Sequence, residues 1–217
     1  NEKLTLLTYL SNCLYKTKKY KQSLKYSEEL LSGMKEYDCF LHDKYLFYYY
    51  NILVLNYAKT DKKKALDYLN KASRSEVIKK LPSYNAFIYL NRSLIYYYED
   101  NYKESQKNIA RLIMQEDFLL LDKSFQLKIL VTDLMIRMLV SNKNLNDKIT
   151  SINKNYKSLL LEENYIREKK MIDLIFKKIS DGDVVDNKED LLSSMSDSDS
   201  EDIDIISYNI WIKENIK

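Results

Sequence analysis

Apolar positions along this chain recur at helical spacing, in blocks separated by short polar corners. The stretch "LNYAKTDKKKALDYLNKA" (Leu55 to Ala72) shows the unit: a helical face, a polar corner without glycine, then a second face opening on Lys-Ala-Leu. The same corner returns at Lys16 to Ser23, at Glu99 to Ser105 and, more loosely, at Ser141 to Lys148. Behind the corners run stripes at i, i+3 or i+4 and i+7: Tyr20, Leu24, Leu30 and Leu31; Leu66, Leu69 and Ala72; Tyr102, Ile109 and Leu112. This spacing predicts helical pairs at about 2–16 with 19–32, 38–58 with 61–73, 82–99 with 101–115 and 122–140 with 144–160, then a single helix at about 163–179.

Small residues mark where the helices of a pair cross. Ser23, Ala65 and Ser105 stand just after successive corners, 42 and 40 residues apart, where a large side chain would hold the two helices apart. Thr60 or Asp61, Asp100 or Asn101, and Asp122 are placed to accept from the free N–H groups of the following helix, and Pro82 suits a first helical turn. One helix pair cannot bury such stripes alone, whereas stacked pairs can. Two glycines and one proline leave almost no turn chemistry for hairpins, so the fold class is all-α.

"LSNCLYKTKKYKQSLKYSEEL" (Leu10 to Leu30) and "LNRSLIYYYEDNYKESQKNIARL" (Leu90 to Leu112) resemble tetratricopeptide repeats. Each has a small residue in the first helix (Ser11, Ser93), a leucine or aromatic three residues on (Leu14, Tyr96), an aromatic at the corner (Tyr20, Tyr102) and the small residue after it (Ser23, Ser105). The period near 41 exceeds the usual 34 of that family, Lys62 replaces the corner aromatic in the pair around Ala65, and the closing proline is absent, so the likeness is to a divergent member. It implies a right-handed α-solenoid of about four helical hairpins over roughly residues 1–160, closed by a capping helix. It also implies that the first helix of each pair lines a concave face. Asn12, Tyr15, Lys16, Tyr48, Asn51, Asn91, Tyr97, Tyr98, Asp133 and Arg137 then become the candidate peptide contacts.

Charge divides the chain further. From Asp181 to Asp204 ten acidic residues face Lys188 alone, a net −9; with +1 from Lys213, Glu214 and Lys217 and a total of +3, residues 1–180 carry +11. The expected organisation is therefore a repeat domain over 1–180, an acidic linker over 181–202 that cannot repay its own folding entropy, and an apolar segment over 203–217. That last segment, "IDIISYNIWIKENIK", holds the only tryptophan, and its Ile205, Ile206, Tyr208, Ile210 and Trp211 read as a docking motif or cap. Its pattern fits a helix and a strand equally.

Catalytic constellations are missing from the sequence. His42 is the only histidine and has no triad partner nearby, two isolated glycines cannot make a phosphate loop, and no metal-ligand spacing occurs. The expectation is a non-catalytic protein- or peptide-binding scaffold without cofactor or metal. The alternatives are a nucleic-acid-binding helical repeat, which basic charge interleaved with tyrosine permits but scattered lysines disfavour, and the peptide-sensing half of a regulator whose DNA-binding domain lies elsewhere. The longest apolar run, Tyr45 to Ala58, is broken by Asn51 and Asn56 and falls short of the about 20 residues a bilayer needs. Cys13 and Cys39 match no disulfide framework and read as buried thiols of an intracellular, cytoplasmic protein, while Asn1 in place of Met leaves an upstream leader or domain open.

Overall fold

The structure, a computed structural model, describes residues 2–37, 42–140, 143–181, 189, 192–193 and 204–216. No strand occurs among the described residues. In chain order the helices are α1 (Glu2–Lys16), α2 (Tyr20–Glu36), α3 (His42–Thr60), α4 (Lys62–Arg74), α5 (Glu76–Lys79) and α6 (Asn91–Tyr97), which is entered through a π turn at Ala86–Leu90. There follow α7 (Tyr102–Ile113), a 3-10 turn at Glu116–Leu120, α8 (Lys123–Val140), α9 (Leu145–Asn155) and α10 (Lys157–Leu160). A second 3-10 turn at Glu163–Tyr165 then leads into α11 (Ile166–Asp181), and α12 (Tyr208–Asn215) closes the order.

Three corners work without glycine because another residue takes the left-handed conformation that glycine usually supplies, while the corner at Asp61 uses extended backbone (φ −158°). Lys18, Asp100 and Asn144 all have φ near +60° (60°, 57° and 60°). At the first corner the Lys19 N–H reaches back to the Leu14 carbonyl at 2.8 Å and the Lys18 N–H to Tyr15 at 2.9 Å, so the last carbonyls of α1 are satisfied as a glycine-terminated helix would satisfy them. The next helix is then capped by the expected residues. The Asp61 carboxylate accepts from the Lys64 N–H at 3.1 Å, Asn101 from Glu104 at 3.3 Å, and Asp122 from Ser124 and Phe125 at 2.9 and 3.2 Å. Left-handed backbone crowds any Cβ, so Lys18→Gly is expected to raise stability by up to about 1 kcal/mol, net of the extra freedom glycine gives the unfolded chain; a urea titration reads it.

The chain forms two compact units, residues 1–98 and 99–217, so the boundary falls inside the third expected helix pair. In the first unit α1 packs on α2 and α3, α2 on α3, α3 on α4, and α4 on α6. Ser23 is fully buried where α1 and α2 cross: its hydroxyl donates to the Ser11 carbonyl at 2.8 Å and accepts from Asn56 Nδ2 of α3 at 2.9 Å. One small polar side chain thus ties three helices. Ala65 sits at 0% exposure against Val54, Leu69, Ala72, Ile78, Phe87, Ile88 and Ile95.

In the second unit α8 is the central helix, packed by α7, α9 and α11, and buried all round from Val131 to Ile136. The expected lone closing helix is α11, which buries Met171, Ile172, Leu174 and Ile175. Residues 182–188, 190–191, 194–203 and 217 of the expected linker and apolar segment, and Cys39, lie outside the described residues.

Three expectations are corrected. Cys13 is exposed, because it stands on the outer face of α1 with Leu6 and Tyr9, whereas Leu4, Leu7 and Ser11 take the inner face. Pro82 stands in the turn before its helix, not in the first helical turn. Gly33 does not end α2. A Cβ there would lie 2.8 Å from Leu4 Cδ2, so the residue serves the close approach of α1 and α2, and the helix runs on to Glu36.

Candidate functional site

A cavity of about 260 Å³ opens in the second unit between α8, α9 and the first 3-10 turn. Its apolar wall is Ile113, Phe118, Leu119, Leu130 and Ile152, and its polar side is Asp133, Lys148, Ser151, Asn155 and Tyr156. The wall is shaped by Gln126, fully buried, whose amide donates to the Leu119 and Leu121 carbonyls at 3.2 and 2.7 Å and whose oxygen accepts from the Tyr156 hydroxyl at 2.6 Å. One side chain therefore fixes the 3-10 turn, α8 and Tyr156 relative to one another. Burial pushes the Tyr156 hydroxyl above the usual tyrosine value, so it stays a neutral donor.

At the polar side Asp133 is 1% exposed, yet fully paired. Arg137 Nε lies 2.9 and 2.8 Å from its two carboxylate oxygens, and Lys148 Nζ lies 2.9 Å from one of them. Two cations meet one anion, which leaves the cluster net positive, and Lys148 carries that charge to the cavity wall. Lys148 is the accessible member, its side chain 30% exposed. Leu119, which lines the cavity, is 68% exposed and gives it a hydrocarbon rim. The arrangement suits an apolar side chain with an acidic group next to it.

Of the candidate contacts named from sequence, Asp133 and Arg137 pair with each other in the second unit, and Asp133 lines this cavity. The others belong to the first unit. Asn12 and Tyr15 are half-buried and Lys16 exposed on α1, with the Tyr15 ring 5.9 Å from Tyr20. Tyr48 and Asn51 are half-buried on α3, Tyr48 lying 6.3 Å from the Tyr45 ring and 5.9 Å from Phe47. Asn91 donates to the Phe87 carbonyl at 2.8 Å, in the π turn. Tyr98 is 44% exposed with Lys59 Nζ 5.2 Å above its ring. Tyr97 and Asp133 are interior, because the first packs edge-on against Tyr98 and the second needs its two cations, so neither is an outward contact.

The C-terminal segment has a seat of its own. Tyr208 begins a helix capped by the Ser207 hydroxyl, which accepts from the Ile210 N–H at 3.4 Å, so the ambiguous pattern resolves as helix from Tyr208 onward. Ile206, Tyr208, Trp211, Ile212 and Ile216 are all at 2% exposure or less, whereas Ile205 is half-buried and Ile210 is 51% exposed. Arg167 of α11 donates to Asp204 at 2.7 Å and lies 5.4 Å from the centre of the Tyr208 ring, and Lys178 donates to the Asn215 carbonyl at 2.9 Å. Glu168 is 3% exposed beside these groups, with Lys128 of α8 within electrostatic reach. Burial raises the Glu168 and Asp204 carboxyls above their usual values, against the pull of Arg167 and Lys128.

Sequence reasoning missed Lys148, Phe118, Leu119, Tyr156 and Gln126. One signal was available: "FQLKILVTDLMI" is a run too apolar to face water throughout, so its polar residues Gln126, Lys128, Thr132 and Asp133 include some that need an internal partner. Among the described residues no group of three or more His, Cys, Asp or Glu is placed to hold a metal, and no helix is long and apolar enough to cross a membrane. Compared with protein-family models, curated proteins and solved structures, the chain matches none.

Proposed function

We propose that this protein is a non-catalytic binding scaffold, a divergent tetratricopeptide-like right-handed helical repeat that takes a protein or peptide partner. The observation that carries the reading is the cavity beside α8, where a preformed apolar wall and an exposed leucine rim stand next to the Lys148 cation. A peptide with a leucine-sized anchor and an adjacent aspartate or glutamate fits both halves of that site. The nucleic-acid alternative is disfavoured by the tyrosines of the first unit. Lys25, Lys44, Lys59, Lys64 and Lys71 each lie within 6.0 Å of a tyrosine ring centre, over faces that base stacking would need.

Peptides selected from a random library on the full chain test this. They are expected to bind with micromolar affinity, and Leu119→Asp or Lys148→Glu should each weaken them at least about tenfold, or 1.4 kcal/mol, without changing the helical signal. Peptide binding indifferent to both changes, or tighter binding of single-stranded nucleic acid with a steep salt dependence, would overturn it.

A further inference from the structure

The C-terminal segment lies along α11 in the same direction as that helix. Asp204 meets Arg167 near the start of α11, and Asn215 meets Lys178 eleven residues later, about 16 Å along the axis. Two parallel neighbours cannot be joined by a tight turn, so the 22 residues of 182–203 must carry the chain back. Twenty-two residues can reach at most about 75 Å when extended, well beyond the distance required. The segment is therefore joined to its seat by a long tether and side-chain contacts. Its helix has eight residues, below the about 12 at which an isolated helix begins to hold in water, so it is ordered by its seat.

The fit is also incomplete. The Arg167–Asp204 pair is one-armed: Nη2 meets Oδ2, while Arg167 Nε and Asp204 Oδ1 are buried without hydrogen-bond partners. The Trp211 indole N–H is buried with no acceptor. Each unsatisfied buried polar group costs about 1–3 kcal/mol relative to a paired one. Because the segment is covalently joined to its seat, its docking is intramolecular, which sustains a binding mode of modest intrinsic affinity.

We propose that residues 204–216 are a tethered occupant of a binding site on α11, and that the site also takes a partner peptide of the same design. That design is an amphipathic helix with a carboxylate four residues before a tyrosine and a tryptophan three residues after it, as in Asp204, Tyr208 and Trp211. Arg167 reads the carboxylate and covers the tyrosine ring, and Lys178 reads the helix C-terminus. A partner with glutamate at the Asp204 position reaches one methylene further and can close the two-armed bond to Arg167 that Asp204 leaves half made. This inference rests on the reading of the protein as a binding scaffold, and it names a second site on it.

The test is the full chain with a protease site placed within residues 194–200 and cleaved after folding. Trp211, the sole tryptophan, is expected to emit as a buried indole before cleavage and to redden when the cleaved protein is diluted to nanomolar concentration, with the helical signal otherwise kept. A fluorescein-labelled peptide of residues 204–216 should then bind with micromolar affinity, lose at least tenfold with Trp211→Ala, and gain several-fold with Asp204→Glu. Emission that stays blue at nanomolar concentration after cleavage, collapse of the helical signal as the segment leaves, or no binding of the added peptide would each show a fixed structural element and overturn the proposal. Peptides selected on the α8–α9 cavity bind in either case, so failure here leaves that reading standing.

Discussion

Asp133→Ala is expected to cost the second unit roughly 3–5 kcal/mol, the largest single-site effect among the residues considered, because it strands two cations that one buried carboxylate holds. Arg137 is only 16% exposed and has both of its short contacts to Asp133, so its guanidinium cannot turn to water without leaving α8 packing behind. Lys148, at 30%, is freer to relax, which places part of the loss on Arg137 alone. Urea unfolding followed by circular dichroism reads this, since the helical signal does not depend on whether the C-terminal segment is docked. Adding Arg137→Met and Lys148→Met to the alanine variant should recover most of the loss, because an apolar cluster of similar volume carries no unpaired charge. A loss below about 1 kcal/mol for Asp133→Ala would mean that the three groups do not form the buried cluster described.

Ala65→Leu should destabilise the first unit by about 1–3 kcal/mol. The methyl group of Ala65 is at 0% exposure and faced by the branched and aromatic side chains of Val54, Ile78, Phe87 and Ile95. Three further carbons have nowhere to go except by pushing α3 and α4 apart. The same substitution at an exposed position of α4, such as Lys71, should change stability by less than about 0.5 kcal/mol. Circular dichroism during urea unfolding compares the two. Equal midpoints for both variants would remove the small-residue crossing as the organising feature of α3 and α4.

Much of the fold was legible because it rests on local rules. The stripe of Leu66, Leu69 and Ala72, the crossing residues Ser23 and Ala65 and the caps Asp61, Asn101 and Asp122 all lie where the pattern put them, since helical spacing and N–H capping depend on near neighbours. What was not legible depends on distant ones. The pattern ends the second helix at about 32, and only the approach of Leu4 from another helix shows why Gly33 is an interior residue of a helix that runs on to Glu36. The π turn at Ala86–Leu90 has no signature in "AFIYL", yet it brings Phe87 within 5.1 Å of the Phe47 ring. The candidate site divides the same way. Asp133 stands out as a polar exception in an apolar run, but Lys148 is one lysine among many until α9 folds back to place it against that carboxylate.

The glycine-free corners bear on how the coding sequence can change. Glycine codons all begin with GG, whereas lysine and asparagine codons begin with AA and aspartate codons with GA. Replacing Lys18 or Asn144 by glycine needs a double base change, but Asp100 is a single base change away. Asparagine and aspartate tolerate the left-handed region, so Asp100 and Asn144 lose little there, whereas Lys18 sits up to about 1 kcal/mol above what glycine would give. Lys18 is therefore the strained corner that a single base change cannot relieve, and the stability it forgoes has to come from interior packing such as that around Ser23 and Ala65.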